Sequence, residues 1–128
     1  MKLIIGGKYQ GKRDYVAGRF GYAEGDVCYC GRGGASPVTD KPVVYGIEMW
    51  ALAELEAGRD PVAEFGAVLP ELRDKIVVCT DMSCGIVPND PMQRAWREAA
   101  GRMASAISSA SDEVVRLFCG IPIILKKL

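Results

Sequence analysis

The chain has no histidine. That removes the side chain most often used for acid–base catalysis near neutral pH, and the commonest metal ligand. It has no net charge either, because sixteen basic residues balance sixteen acidic ones. Wholesale electrostatic binding to nucleic acid or to an anionic membrane is therefore not expected. Long apolar runs are missing, so no segment reads as a bilayer span. Leu3-Ile4-Ile5 is too short an apolar stretch for a secretory signal. The five cysteines are an odd number: Cys28, Cys30, Cys79, Cys84 and Cys119. Two of them lie inside apolar runs, where a thiol packs as a small hydrophobe. These absences together point to a reducing cytoplasm and free thiols.

What remains is an ordinary globular mix, 49% hydrophobic and 25% charged over 128 residues. That length suits one domain, residues 1–128, with one core between a sheet and its helices. Leu3-Ile4-Ile5 reads as a buried strand ending in glycines. Lys12 through Phe20 reads as a helix that Gly21 stops. Residues 21–41 are dense in glycine, serine and proline, and read as a loop with a short strand around Val27 to Tyr29. Pro42 to Gly46 is a second strand, followed by a helix from Glu48 to a C-cap at Gly58. Asp60-Pro61 caps another helix, which Pro70 interrupts.

Ile76-Val77-Val78-Cys79-Thr80 is β-branched and apolar on both faces, and reads as a central strand with Asp81 at its end. Asp90-Pro91 repeats the cap signature and starts a long helix to about Ser109. Val114 to Cys119 is a strand, and Pro122 to Leu125 pairs with it as an edge hairpin. Strands that alternate with helices and are apolar on both faces predict an α/β fold. The expected architecture is a P-loop NTPase-like three-layer sandwich. Its sheet is mainly parallel, with an antiparallel C-terminal edge hairpin.

The turn after the first strand carries the chemistry. Gly6-Gly7-Lys8-Tyr9-Gln10-Gly11-Lys12 matches the G-x-x-x-x-G-K core of a phosphate-binding loop, with a strand before it and a helix after it. Glycines let the backbone curl so that its N–H groups face phosphate oxygens, and the helix start adds unpaired N–H groups and a positive dipole end. Lys12 supplies a mobile ammonium to the outer phosphates. The next residue is usually Ser or Thr, whose hydroxyl ligates Mg²⁺. Here it is Arg13, which cannot. P-loop proteins commonly carry an apolar strand ending in Asp that holds the magnesium, and Asp81 stands in that place. A parallel sheet puts Asp81 on the same edge as the loop.

The C-terminal half adds a more specific pattern. Thr80-Asp81-Met82-Ser83-Cys84-Gly85-Ile86-Val87-Pro88 is followed by Arg94, Gly101-Arg102, Asp112-Glu113-Val114 and Gly120-Ile121-Pro122. With the glycine loop, this resembles the bifunctional adenosylcobinamide kinase/adenosylcobinamide-phosphate guanylyltransferase family of cobalamin biosynthesis. The resemblance covers about the first twenty and the last fifty-five residues. It implies ATP or GTP with Mg²⁺ as cofactor and a cobinamide-type corrinoid as acceptor of a phosphoryl group. It also implies that a histidine takes the guanylyl group covalently, and this chain has none. The family's acidic residue in the middle strand is missing from Val43-Val44-Tyr45-Gly46, with Glu48 two residues on as its substitute.

The expected site therefore has Lys12 and Asp81 as catalytic residues. Gly6, Gly7, Lys8, Tyr9, Gln10, Gly11, Lys12 and Arg13 hold nucleotide, and Asp81 and Glu48 hold metal. Three readings compete: a kinase, a non-catalytic nucleotide-binding or regulatory relative, and a structural module that assembles through its helices, a homo-oligomer being the partner. Cys28-x-Cys30 with Cys79 or Cys84 lacks the C-x-x-C spacing of structural zinc, and loop and core thiols are the simpler reading. Trp50 and Trp96 read as core or interface anchors. The ring of Tyr9 either stacks on a base or covers the loop.

Overall fold

A computed structural model describes residues 1–31, 33–82 and 89–128. The strands are β1 (Lys2–Gly6), β2 (Val27–Tyr29), β3 (Val43–Tyr45), β4 (Ile76–Thr80), β5 (Glu113–Phe118) and β6 (Ile121–Lys127). They form one sheet in the order β2-β3-β4-β1-β5-β6. Every neighbouring pair is parallel except β5 and β6, which Cys119-Gly120 joins as an antiparallel hairpin. Among the described residues the α-helices are α1 (Lys12–Phe20), α2 (Ile47–Glu56), α3 (Pro61–Val68) and α4 (Pro91–Ala110). The α/β fold with a mostly parallel sheet and an antiparallel C-terminal edge is the one expected, and it is consistent with a P-loop-like fold.

Side chains alternate across the sheet, and the two faces have separate cores. Leu3, Val44, Val77, Cys79 and Val114 pack with Trp50, Phe65, Val68, Met103 and Ile107 from α2, α3 and α4. Ile4, Val43, Ile76, Val78 and Val115 pack on the opposite face with Val16 of α1. Connection handedness explains the split. The chain leaves β1 toward β2, but leaves β3 and β4 in the other direction, so right-handed crossovers drop their helices on opposite faces.

Local chemistry sets the ends of the elements. Asp60 caps α3 by accepting from the amides of Val62 and Ala63, and Asp90 caps α4 by accepting from Met92. Pro70 does not end the third helix outright. It converts it into a 3₁₀ turn over Leu69–Leu72. The second helix begins one residue earlier than the sequence suggests, at Ile47, with left-handed Gly46 before it. Residues 21–41 contain β2 as expected, together with a 3₁₀ turn at Glu24–Asp26 and a bridge from Cys30 to Ala35.

β6 is an edge strand with little cover. Ile121, Ile123, Ile124 and Leu125 are all exposed. Among the described residues no helix is long and apolar enough to cross a membrane.

The contrast between core and edge gives a stability prediction. Ile107 is fully buried, so Ile107→Ala should cost about 2–5 kcal/mol in urea unfolding. Ile123→Ser on the exposed edge should change stability by less than about 0.5 kcal/mol.

Candidate functional site

Parallel register gathers the strand ends. Gly6 pairs with Thr80 on one side and Leu117 on the other, and Tyr45 pairs with both Val78 and Tyr29. The turn after β1, the start of α2 and Asp81 therefore share the C-terminal edge, where open α/β sheets bind ligands.

Gly6 is required by close approach. A Cβ there would lie 2.7 Å from the Leu117 carbonyl oxygen, a backbone atom that cannot swing away. The Gly6 carbonyl accepts from the Asp81 amide at 2.8 Å, which ties the loop to the end of β4. Gly11 is left-handed at φ 89°, and no side chain caps the first turn of α1 behind it. Gln10 clamps the far flank. Its Oε1 accepts from the Cys119 amide, and its carbonyl accepts from the Gly120 amide at 3.1 Å. Lys8 and Gly11 line the groove over this loop. Tyr9 sits at φ 61° and is 99% exposed, so its ring does not cover the loop.

Lys12 is buried, and its Nζ donates to the Gly7 carbonyl at 2.7 Å. The ammonium is thus folded back over the loop at the sheet edge. Burial lowers its pKa, and the negative charge of Glu48 opposes that shift. Glu48 lies in the first turn of α2 with a buried carboxylate. Oε1 accepts from the Thr80 amide at 3.0 Å, whereas Oε2 is buried with no hydrogen-bond partner. Burial pushes the Glu48 pKa up, while the Thr80 bond and Lys12 pull it down. The Trp96 indole N–H donates to the Glu48 carbonyl at 2.6 Å and fixes the start of α2 against α4.

Arg13 turns away from the loop. Its Nη2 meets Glu24 Oε2 at 2.7 Å, and its guanidinium lies 5.6 Å from the Tyr29 ring centroid. Asp81 lines a second groove of about 410 Å³, together with Arg94 and Arg97 of α4. The first groove, at the glycine loop, measures about 750 Å³ and reaches Tyr22, Tyr29 and Tyr45. The sheet edge thus brings Lys12 and Glu48 into one electrostatic unit, with Asp81 in the neighbouring groove. Arg102 is engaged with Glu98 on the surface of α4. The Gly85-Ile86-Val87-Pro88 string and Cys84 lie outside the described residues. Cys28, Cys30 and Cys79 are buried thiols, and burial pushes Cys30 and Cys79 up, away from thiolate.

Sequence reasoning missed Glu24 and Tyr22, and it missed the tie from Gln10, a residue it placed in the loop, to the turn after β5. Glu24 and Tyr22 sit in an aperiodic, glycine-rich stretch, and Glu24 meets its partners, Arg13 of α1 and Tyr29 of β2, only once the turn between those elements has formed. The Gln10 bond to Cys119 spans 109 positions, so no local spacing announces it.

Glu48 carries a pH prediction. Its folded pKa is raised above its unfolded value. The proton is thus held more tightly in the folded state, and the penalty for burying the charge is absent in acid. It grows as pH rises through the ordinary carboxylate range toward the raised value. Glu48→Gln should therefore gain stability over the parent at pH 8, and gain little at pH 4. Thermal melts at the two pH values check this. A variant less stable than the parent at pH 8 would show that the pairing with Lys12 outweighs the cost of burying the carboxylate.

Comparison with known proteins follows the same lines. No curated protein matches the chain. A family model described as cobinamide kinase / cobinamide phosphate guanyltransferase matches residues 45–125. The match covers well over half of the chain, from the end of β3 to β6, and starts after the glycine loop. The family works in cobalamin biosynthesis on a nucleotide and a corrinoid. On a match of that extent, the chain belongs to the cobinamide kinase / cobinamide phosphate guanyltransferase family.

Proposed function

We propose that this chain is a single-domain cytoplasmic phosphotransferase. It binds ATP or GTP with Mg²⁺ on the loop Gly6–Lys12 and phosphorylates the side-chain hydroxyl of a cobinamide-type corrinoid. The observation that carries the reading is the position of Lys12, whose buried ammonium lies across the loop at 2.7 Å from the Gly7 carbonyl. A phosphate chain laid on the loop gains that ammonium and the uncapped start of α1 together. In such transfer the acceptor oxygen bonds to the terminal phosphorus as the bond to the bridging oxygen breaks. Catalysis then consists mainly of placing the groups and balancing charge.

Guanylyl transfer through a covalent histidine is outside this reading, because the chain has no histidine. The residues fit a magnesium ion in one respect. Glu48 Oε2 is a buried, unpartnered oxygen at the sheet edge. Magnesium sites use one or two carboxylates and take the rest from water and phosphate. Glu48 would hold the ion, with Asp81 as the second carboxylate, and the ion would supply charge neutralisation at the phosphate oxygens. Among the described residues no cluster of three or more acidic, cysteine or histidine ligands exists.

One observation favours a second reading, a nucleotide binder without transfer. Arg13 replaces the hydroxyl residue of the motif and is engaged with Glu24 instead.

Thermal melts test the shared part of both readings. At a hundredfold excess over Kd, Mg-ATP or Mg-GTP should add about 2.7 kcal/mol of stability, and Lys12→Ala should remove the shift. A parent protein whose melting temperature ignores millimolar nucleotide would sink both. Mass spectrometry of cobinamide incubated with protein, nucleotide and Mg²⁺ then separates them, since a kinase leaves a phosphorylated corrinoid.

A further inference from the structure

The groove at the glycine loop extends well beyond what a phosphate chain needs. It runs from Lys8 along the flank of α1 to β2 and β3, where Tyr22, Tyr29 and Tyr45 form its far wall over Val27 and Val43. Among the described residues α1 is the one helix packed on this face of the sheet, so the strands beyond it lie open to the groove.

A polar network is built into that wall. Glu24 Oε1 accepts from the Tyr29 hydroxyl at 2.6 Å, and Glu24 Oε2 meets Arg13 at 2.7 Å. The Arg13 guanidinium lies over the Tyr29 ring, and the Tyr29 and Tyr45 rings are 5.3 Å apart. Glu24 is itself set by the 3₁₀ turn, in which Asp26 accepts from the Ala23 amide at 2.9 Å. Tyr29 and Arg13 hold the Glu24 carboxyl below its ordinary range, so it is ionised at neutral pH. Burial and Glu24 push the Tyr29 phenol up to about 12, so it keeps its proton and donates.

This network adds little to stability. Arg13 and Glu24 are 58% and 66% exposed, and exposed ion pairs contribute a fraction of a kcal/mol. What it does is present fixed donors and acceptors to the groove. The guanidinium has N–H donors left over, and the carboxylate has unused lone pairs. A donor beside an acceptor, above aromatic rings, is the complement of a primary carboxamide on a bulky, largely apolar body. It is a poor complement to phosphate, which Glu24 repels.

We infer that this groove is the acceptor subsite. The tyrosine wall takes an apolar edge of the corrinoid, and the Arg13–Glu24 pair binds one of its peripheral carboxamides. Glu24 is the specificity-determining residue, and Tyr29 is a positioning residue that acts through it. The choice of corrinoid rests on the phosphotransferase reading above, but binding to the groove needs no nucleotide.

Calorimetric titration with cobinamide, without nucleotide, tests the inference. Glu24→Ala should weaken cobinamide binding about tenfold, and Tyr29→Phe about threefold. Both side chains are exposed enough that the variants should fold, and their melting curves check that. The thermal shift with Mg-ATP or Mg-GTP should not weaken in either variant. Unchanged cobinamide affinity in both variants would overturn the assignment, as would a parent protein that takes up no cobinamide. Loss of the nucleotide shift in either variant would also overturn it, because the groove would then serve the nucleoside. If the parent shows no nucleotide shift but the cobinamide series behaves as stated, the phosphotransferase reading fails and the subsite stands.

Discussion

Taking an ammonium out of water is costly, and Lys12 is compensated from two directions. The Gly7 carbonyl accepts a hydrogen bond from it, and the Glu48 carboxylate supplies opposite charge. Each of those groups depends on a further support. Gly7 is placed by the clamp of Gln10 on the Cys119-Gly120 turn and by the Gly6 bond to Asp81. Glu48 is placed by Thr80 and by the grip of Trp96 on its own backbone. The edge of the sheet is thus one unit in which β4, β5, α2 and α4 all bear on a single side chain. Glu48 Oε2 is the part left without a hydrogen-bond partner, and the magnesium site proposed above rests on it.

Much of the fold was legible because local signals agreed with each other. Asp-Pro pairs marked the starts of α3 and α4 on the far face, and apolar runs rich in β-branched residues marked β1, β4 and β5. The glycine loop was legible because a strand, a turn and a helix follow one another without a gap. The functional partners were less legible, for a physical reason. The sequence offers Glu48 as the substitute acidic residue, but only the packing of α2 against the end of β4 reveals its carboxylate as buried. Glu24 and the tyrosines come together across β2 and β3, and register between parallel strands leaves no trace in local spacing. Arg13 was visible as a departure from the phosphate-loop motif. What it does instead, pairing with Glu24, depends on a turn that composition does not specify.

The two faces of the sheet are covered unequally. Three helices pack on one side and α1 on the other. The open part of the second side is lined by tyrosines and charged side chains set among valines and alanines. A surface left bare for want of a helix would carry the aliphatic residues alone. A wall of phenols, a carboxylate and a guanidinium is instead what a site for a large polar-edged molecule requires.

The last strand carries two features that oppose strand addition along it. β6 sets four large aliphatic side chains in water on a border with free main-chain groups, which is the usual recipe for open-ended strand addition. Pro122 deletes one amide donor from that border, and Lys126 and Lys127 place positive charge at its end. An incoming strand therefore meets an interrupted ladder and a charged terminus. Replacement of Pro122 by an ordinary residue would restore an unbroken row of donors, and with it the route to sheet-to-sheet growth that the natural sequence blocks.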